Sequence, residues 1–236
     1  MTMKERPILF SAPMVRAIRD GRKTQLRRVV KPQPPSVESV SAIAGIGFSI
    51  FTDEHTPGKF RVAGPVWCVR DLMGREPEWK CPYGIPGDRL WVRECWTPDH
   101  RDFYPHFPAV YKADAAYDYD RNEKGEVYSP EQKSWYPYRW RPSIHMPRWA
   151  SRITLEVVAV RVERLQEISE ADSLAEGIHQ FGELEIYGYD PKGTPGTMIG
   201  ATATEAFFWL WQQINSLESW SANPWVWVVE FRKLET

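Results

Sequence analysis

The chain has 236 residues, with 30 Lys and Arg against 31 Asp and Glu, so its formal net charge is −1. Hydrophobic residues make up 42% and charged residues 26%, values that argue against a disordered chain, a collagen-like fibre or a membrane protein. No apolar run follows the charged first residues, so we expect no signal peptide, a cytoplasmic location and no membrane partner. The length suits one domain over residues 1–236, with insertions at about 31–65 and 97–141.

The cysteine and histidine positions argue against a disulfide scaffold and against a metal site. The three cysteines (Cys68, Cys81 and Cys95) contain no C-x-x-C pair, which a zinc knuckle would need. His100 and His106 lie six residues apart in an aromatic loop, which is poor spacing for metal ligands. We therefore expect neither a metal nor a cofactor.

The N-terminal third predicts a strand, a helix and a second strand. Residues 7–10 are typical of a short strand, and Ser11 then offers an N-cap to a helix that carries Pro13 in its first turn. Gly21 ends this helix, and a strand is predicted within residues 22–30. The 12 Trp and 20 Pro residues of the chain favour short strands and shaped loops over a helical bundle.

The middle of the chain predicts short strands separated by loops. The segment 81–88 has turn chemistry, and 97–141 is a loop-rich, aromatic insertion. The predicted strands are 48–51 and 60–62 as a hairpin, 66–69, 89–94 and 109–112.

The C-terminal part predicts two capped helices and two long strands. The strands cover 153–162 and 225–231, and the segment 181–201 between the helices is predicted to be a loop. Ser169 caps the first helix with Asp172 at its capping-box position, and Thr202 caps the second with Glu205. The predicted buried positions are Ala171, Leu174, Ala175 and Ile178 in the first helix, and Ala206, Phe207, Leu210, Trp211 and Ile214 in the second.

Strands outnumber helices in this order of elements, which indicates an α+β fold. A mixed β-barrel with flanking helices is its natural closed form. We expect Leu90, Trp91, Val157 and Trp227 to share one barrel core.

A basic segment lies between Arg16 and Lys31, where seven basic residues stand against one acid, Asp20. Such a concentration attracts phosphates, with an affinity that falls as salt rises. A solvated helix end is the alternative reading, because cations are also favoured there. The first reading predicts that Lys23, Arg27 and Arg28 line one concave basic surface.

Four segments of the chain match, in order, the motifs of a known family. They are Pro-Ile-Leu-Phe-Ser (7–11) with Gly-Arg-Lys-Thr-Gln (21–25), Gly-Asp-Arg-Leu-Trp-Val-Arg-Glu (87–94), Ser-Ile-His-Met-Pro-Arg-Trp-Ala-Ser-Arg (143–152) and Asn-Pro-Trp-Val-Trp-Val-Val-Glu-Phe (223–231). Together they resemble ASCH-domain proteins of the PUA-like superfamily, and the third segment resembles the larger members, often carried by phages or prophages. The matched span is 7–231, with unmatched insertions between the segments.

The resemblance implies a PUA-like barrel with a cleft for RNA or a nucleobase. A compact branch of the family hydrolyses N4-acetylcytidine with a lysine, a threonine three residues later and a glutamate. These positions correspond here to Lys23, Leu26 and Glu176. Leu26 has no hydroxyl, and Thr24 is the neighbouring residue that does, so we expect this hydrolysis to be weak or absent.

Three functions stay open at this stage, together with the oligomeric state. The first is nucleic-acid binding, most simply of RNA, with residues Arg22, Lys23, Arg27, Arg28, His145, Arg148 and Trp149. The second is a hydrolase acting on RNA or a modified nucleoside through Lys23, Glu176 and Thr24. The third is a phage assembly or interaction protein. Glu176 also has a plain reading as a solvated side chain opposite the buried helix stripe.

Overall fold

The computed structural model describes residues 3–33, 60–61, 67–68, 78–79, 81–98, 109–114, 127–129, 134–136, 140–181, 186–189 and 199–235. Within these ranges the chain is an α+β protein, in which one mixed sheet carries the longer strands. The helices are α1 (Ala12–Arg19), α2 (Glu170–Ala175) and α3 (Ala203–Asn215), with 3₁₀ turns at Ser143–His145, Arg148–Ala150, Leu165–Glu167 and Leu217–Ser219. None of the helices described is long and apolar enough to cross a bilayer.

The main sheet has six strands, and smaller sheets take up the rest. The main-sheet strands are β1 (Glu5–Leu9), β2 (Gln25–Val29), β3 (Phe60–Arg61), β6 (Arg89–Arg93), β11 (Thr154–Arg164) and β15 (Trp225–Lys233). The remaining strands are β4 (Trp67–Cys68), β5 (Glu78–Trp79), β7 (Trp96–Pro98), β8 (Ala109–Tyr111), β9 (Val127–Ser129), β10 (Ser134–Tyr136), β12 (His179–Gln180), β13 (Tyr187–Gly188) and β14 (Ile199–Gly200).

The main sheet is an open path rather than the closed barrel expected from the sequence. Its order is β1-β6-β11-β15-β2, with β3 also paired to β11. The β1–β6 pair is parallel and the other pairs are antiparallel. Among the described residues no ladder joins the end strands β1 and β2. A side-chain contact bridges them instead, since Arg28 Nη2 donates to the Leu9 carbonyl oxygen at 3.2 Å.

Apolar side chains cover both faces of the sheet, and β15 contributes residues to each face. Alternate residues of β15 point to opposite faces, so Trp227 and Val229 join one cluster with α1 while Val226 and Val228 join another under α3. Leu90, Val157 and Trp227 share the first cluster, as expected. The prediction for Trp91 is wrong, because this half-buried side chain lies outside the cluster.

The predicted helix boundaries are confirmed where capping chemistry marked them. The Ser169 hydroxyl accepts from the Asp172 amide and the Thr202 hydroxyl from the Glu205 amide, each at 3.1 Å. Gly21 follows α1 at φ 74°, a left-handed conformation that suits glycine. The α3 stripe is buried except for Ile214, which is half exposed near the helix end.

Three other expectations need correction or lie outside the described residues. The segment 181–201, predicted as a loop, contributes β13 and β14, which form a small antiparallel sheet with β12. The buried stripe predicted for α2 is wrong at Ala171 and Leu174, which are exposed, while Ala175 is half buried. Ile178, which follows the helix end, is buried as predicted. The strand predicted at 48–51 and the residues His100 and His106 fall outside the described ranges.

Candidate functional site

The site begins where the chain leaves α1 and meets the end of α2. Lys23 forms an isolated antiparallel bridge with Glu176, and the Thr24 amide donates to the Ala175 carbonyl oxygen at 2.9 Å. Glu176 caps α2, and Gly177 then takes φ 101°. This turn ends the helix one residue before Glu176. The Glu176 side chain therefore points inward to Lys23, which helical spacing did not predict.

Lys23 and Glu176 form a buried ion pair. Lys23 Nζ donates to Glu176 Oε2 at 2.7 Å and to the Glu176 carbonyl oxygen, also at 2.7 Å. The two residues are 3% and 5% exposed. Burial lowers the pKa of Lys23 from its usual value, and the Glu176 carboxylate acts in the opposite direction. The reading of Glu176 as a solvated side chain is wrong.

Arg27 extends this pair into a buried ionic network. Its guanidinium, whose side chain is fully buried, pairs with Glu163 at 2.5 Å, with Asp172 at 3.2 Å and with Glu176 at 3.2 Å. Arg161 closes the network, with Nε 3.0 Å from Glu163 and Nη2 2.9 Å from Asp172. Each buried charge thus faces an opposite charge, which is the condition for keeping it in a protein interior.

A narrow, partly open cleft lies against one end of this network, and we call it the Lys23 cleft. Its volume is about 20 Å³, the room of about one water molecule. The residues that line it are Phe10, Met14, Lys23, Leu26, Arg27, Arg28, Glu176, Phe207, Leu210, Trp211, Ile214 and Asn215. A planar ring can enter only if a partly exposed side chain such as Ile214 or Arg28 moves aside.

Residues that line the cleft carry buried hydrogen-bond donors without a partner among the described residues. Arg27 Nε and Trp211 Nε1 have no partner among the described residues. Lys23 uses Glu176 for two of its three N–H groups, which leaves one. Arg28, half buried, donates to the carbonyl oxygens of Arg27 and Leu9, also interacts with the Tyr83 hydroxyl, and has no carboxylate partner in the described part of the chain. The cleft therefore suits a ligand that brings acceptor atoms.

The predicted concave basic surface is formed only in part. Lys23, Arg27 and Arg28 do line one cleft, but the first two are buried and paired with carboxylates from distant parts of the chain. Arg22 pairs with Asp20 at 2.9 Å and donates to the Gly177 carbonyl oxygen at 3.3 Å. Of the three cations that line the cleft, Arg28 is the one that is partly exposed and has no carboxylate partner among the described residues.

Leu26, at the position where a threonine was expected, and its neighbour Thr24 have different surroundings. Leu26 is buried and lines the cleft. Thr24 is exposed and does not line it. Tyr189 is a half-buried residue whose hydroxyl is buried. This burial raises the pKa of Tyr189, and the nearby Glu176 charge acts in the same direction.

The other predicted binding residues lie away from the cleft. His145, Arg148 and Trp149 are exposed and none of them lines it. Arg148 pairs with Glu5 at 3.2 Å, whereas Phe10 of the cleft follows the other end of β1. Five residues of extended strand separate these points by about 17 Å. The structure thus separates His145, Arg148 and Trp149 from the predicted binding residues that line the Lys23 cleft.

Sequence reasoning missed Glu163 and Asp172 as the partners of Arg27, and the aromatic walls Phe10 and Trp211. One signal was available, because Arg27 and Arg28 are adjacent in a predicted strand and adjacent residues face opposite sides. One arginine had to point inward and required carboxylates there. Nothing local indicated which carboxylates these are, since 136 residues separate Arg27 from Glu163.

Comparisons with known proteins do not identify a family for this chain. No family model matches it, and neither a curated protein nor a solved structure does. Among the described residues no group of three or more His, Cys, Asp or Glu side chains could hold a metal ion. The candidate site therefore has to be interpreted from its own geometry.

Proposed function

We propose that the protein binds RNA, or a nucleoside, and that the Lys23 cleft takes one base. The observation that carries this proposal is the pairing of aromatic walls with unpartnered donors in one cleft. Phe10, Phe207 and Trp211 supply rings, on which a base can stack. Arg27 Nε, Trp211 Nε1 and the third Lys23 proton offer donors to base carbonyl oxygens and ring nitrogens.

The cleft is less suited to a bare phosphate. Lys23 and Arg27 are already neutralised by carboxylates, and a second anion next to Glu176 would be repelled. Arg28 at the mouth is the cation best placed to meet the phosphate of the bound nucleotide. The resemblance to ASCH-domain and PUA-like proteins points to the same class of ligand, and a PUA-like fold is part of this proposal.

The test is binding of a labelled single-stranded RNA of about 12 nucleotides, measured by fluorescence anisotropy and by competition with nucleosides. Trp211→Phe keeps the ring and deletes the donor. We expect a loss of roughly 5- to 150-fold, corresponding to about 1–3 kcal/mol for an unsatisfied acceptor. Trp209→Phe is the matched control, because Trp209 lies on the same helix but outside the cleft lining. Equal affinities for the two variants would refute the proposal.

A second candidate, hydrolysis of an acylated nucleoside, is favoured by one observation. The buried Lys23–Glu176 pair, with the Lys23 pKa lowered by burial, could hold and transfer a proton. Leu26 opposes it, because it places methyl groups where a hydroxyl would be needed. Incubation with N4-acetylcytidine, followed by analysis of the products, distinguishes binding alone from hydrolysis. We expect no turnover, and turnover that Lys23→Met abolishes would make the protein a hydrolase.

A further inference from the structure

A second aromatic and cationic surface lies on the outer side of β6. Along this strand Leu90 and Val92 are buried while Trp91 and Arg93 are half buried, so the latter two face outward. The Trp91 ring carries two guanidinium groups, with Arg93 Cζ 5.4 Å and Arg148 Cζ 5.9 Å from its centroid. We call the set Trp91, Arg93, Arg141, Arg148 and Trp149 the Trp149 platform.

Trp149 is the most exposed ring of the platform, and it is held in place. Its side chain is 61% exposed, and its ring meets the buried Trp96 edge-on at 5.6 Å. The turn below it is fixed from inside, because Met146 is buried and its sulfur accepts from the Glu94 amide at 3.2 Å. The Tyr111 hydroxyl donates to the Ala150 carbonyl oxygen at 2.8 Å. The ring is thus presented to solvent from an anchored base.

The platform carries positive charge that the described part of the chain does not neutralise. Arg93 donates to the Ile144 carbonyl oxygen, and Arg141 lies over the Trp96 ring at 5.5 Å. Neither has a carboxylate partner among the described residues. Arg148 has one, Glu5, in a partly exposed pair. Three arginines therefore stand against one carboxylate, in a chain of net charge −1.

We propose that the Trp149 platform is a second binding surface, which takes a single-stranded nucleic-acid segment by stacking a base on Trp149 and contacting phosphates with Arg93 and Arg141. Exposed aromatic rings next to cations are the two elements that single-strand binding needs, and charge complementarity selects a polyanion. The inference rests on the proposed function for its ligand class but uses no residue of the Lys23 cleft.

Direct binding assays with three ligands test the platform. They are a single-stranded RNA of about 12 nucleotides, a duplex of the same length and a free nucleoside. Trp149→Ala should weaken single-strand binding roughly 5- to 150-fold, the range for one stacked base, and leave duplex and nucleoside binding unchanged. Ile144→Ala is the matched control, since Ile144 is 55% exposed in the neighbouring turn, and it should change the affinity less than about twofold.

Salt dependence gives a second readout that a merely structural role would not move. Arg141→Gln should reduce the slope of log affinity against log salt by about one. Single-strand affinity that survives Trp149→Ala would overturn the inference, and so would preferential binding of an acidic peptide. The two sites are tested independently. If Trp149→Ala weakens single-strand binding and Trp211→Phe does not, the platform is supported and the proposed role of the Lys23 cleft is rejected.

Discussion

The Lys23 cleft and the Trp149 platform both combine arginine with tryptophan, but they differ in what balances the charge. In the cleft, Arg27 is fully buried between carboxylates that lie far away in the sequence. On the platform, Arg93 and Arg141 have no carboxylate partner among the described residues. The basic segment 16–31 has the higher local charge, yet its central cations are neutralised. The comparison teaches that exposure and pairing, rather than local charge in the sequence, decide which cations are left without a carboxylate partner among the described residues.

The largest expected effect breaks the cleft network. Glu163 is fully buried between Arg27 and Arg161, so Glu163→Gln leaves buried cations undercompensated. We expect a loss of about 3–5 kcal/mol in the free energy of unfolding, measured by urea denaturation. Glu5→Gln removes one carboxylate from the exposed Arg148 pair and should cost less than about 1 kcal/mol. Similar losses in the two variants would mean that Arg27 and Arg161 do not need the Glu163 charge for compensation.

The second effect concerns the turn that brings Glu176 to Lys23. Gly177 has φ 101°, and a Cβ there would lie 3.3 Å from the Cβ atoms of both Ala17 and Lys23. Gly177→Ala should therefore destabilise the protein by about 1–3 kcal/mol and weaken nucleoside binding. Gly21→Ala is the control, because Gly21 also has a positive φ but nothing within 4 Å of the added Cβ. It should cost less and leave binding intact, and the reverse ranking would contradict this account.

Local chemistry made much of this fold predictable from the sequence. The caps at Ser169 and Thr202 and the glycine after α1 are decided by neighbouring atoms, and the structure confirms them. The position of Trp91 could also have been predicted, because alternate residues of a strand face opposite sides and Trp91 lies between Leu90 and Val92, which are both buried. The aromatic and β-branched pattern of the strands suggested a core position, whereas the guanidinium groups of Arg93 and Arg148 lie over the Trp91 ring outside the core.

Long-range pairing could not be predicted. The inward turn of Glu176 depends on where Gly177 ends α2, and helical periodicity cannot foresee a helix end. The open sheet depends on whether β1 and β2 form a ladder, which strand patterns do not specify. Lys23 and Glu176 were singled out together only through the family resemblance, and the structure adds their direct contact.

Measurements of the free energy of unfolding over a range of pH test whether burial of the charged Lys23 side chain destabilises the folded protein. Burial lowers the folded-state pKa of Lys23 below its usual value of 10.5, so the unfolded chain binds more protons in the window just below pH 10.5. Stability must therefore rise with pH in that window relative to a variant without this group. We expect the unfolding free energy of the wild type to increase relative to that of Lys23→Met as the pH rises towards 10.5. A constant difference would show that Glu176 fully offsets the burial.

The smallest expected effect is a gain of affinity on the platform. Among the described residues, Glu5 is the carboxylate that pairs with an arginine of the platform, and its distance from Arg148 is 3.2 Å. Glu5→Gln frees that guanidinium and removes a charge that repels phosphate, so single-strand affinity should rise about twofold to fivefold at low salt, with a steeper salt dependence. The gain should vanish at high salt, because the added attraction is screened. Glu218→Gln is the control for net charge, since Glu218 is exposed in the turn after α3 and has no ion-pair partner among the described residues. An equal gain in both variants would assign the effect to overall charge and remove Arg148 from the binding surface.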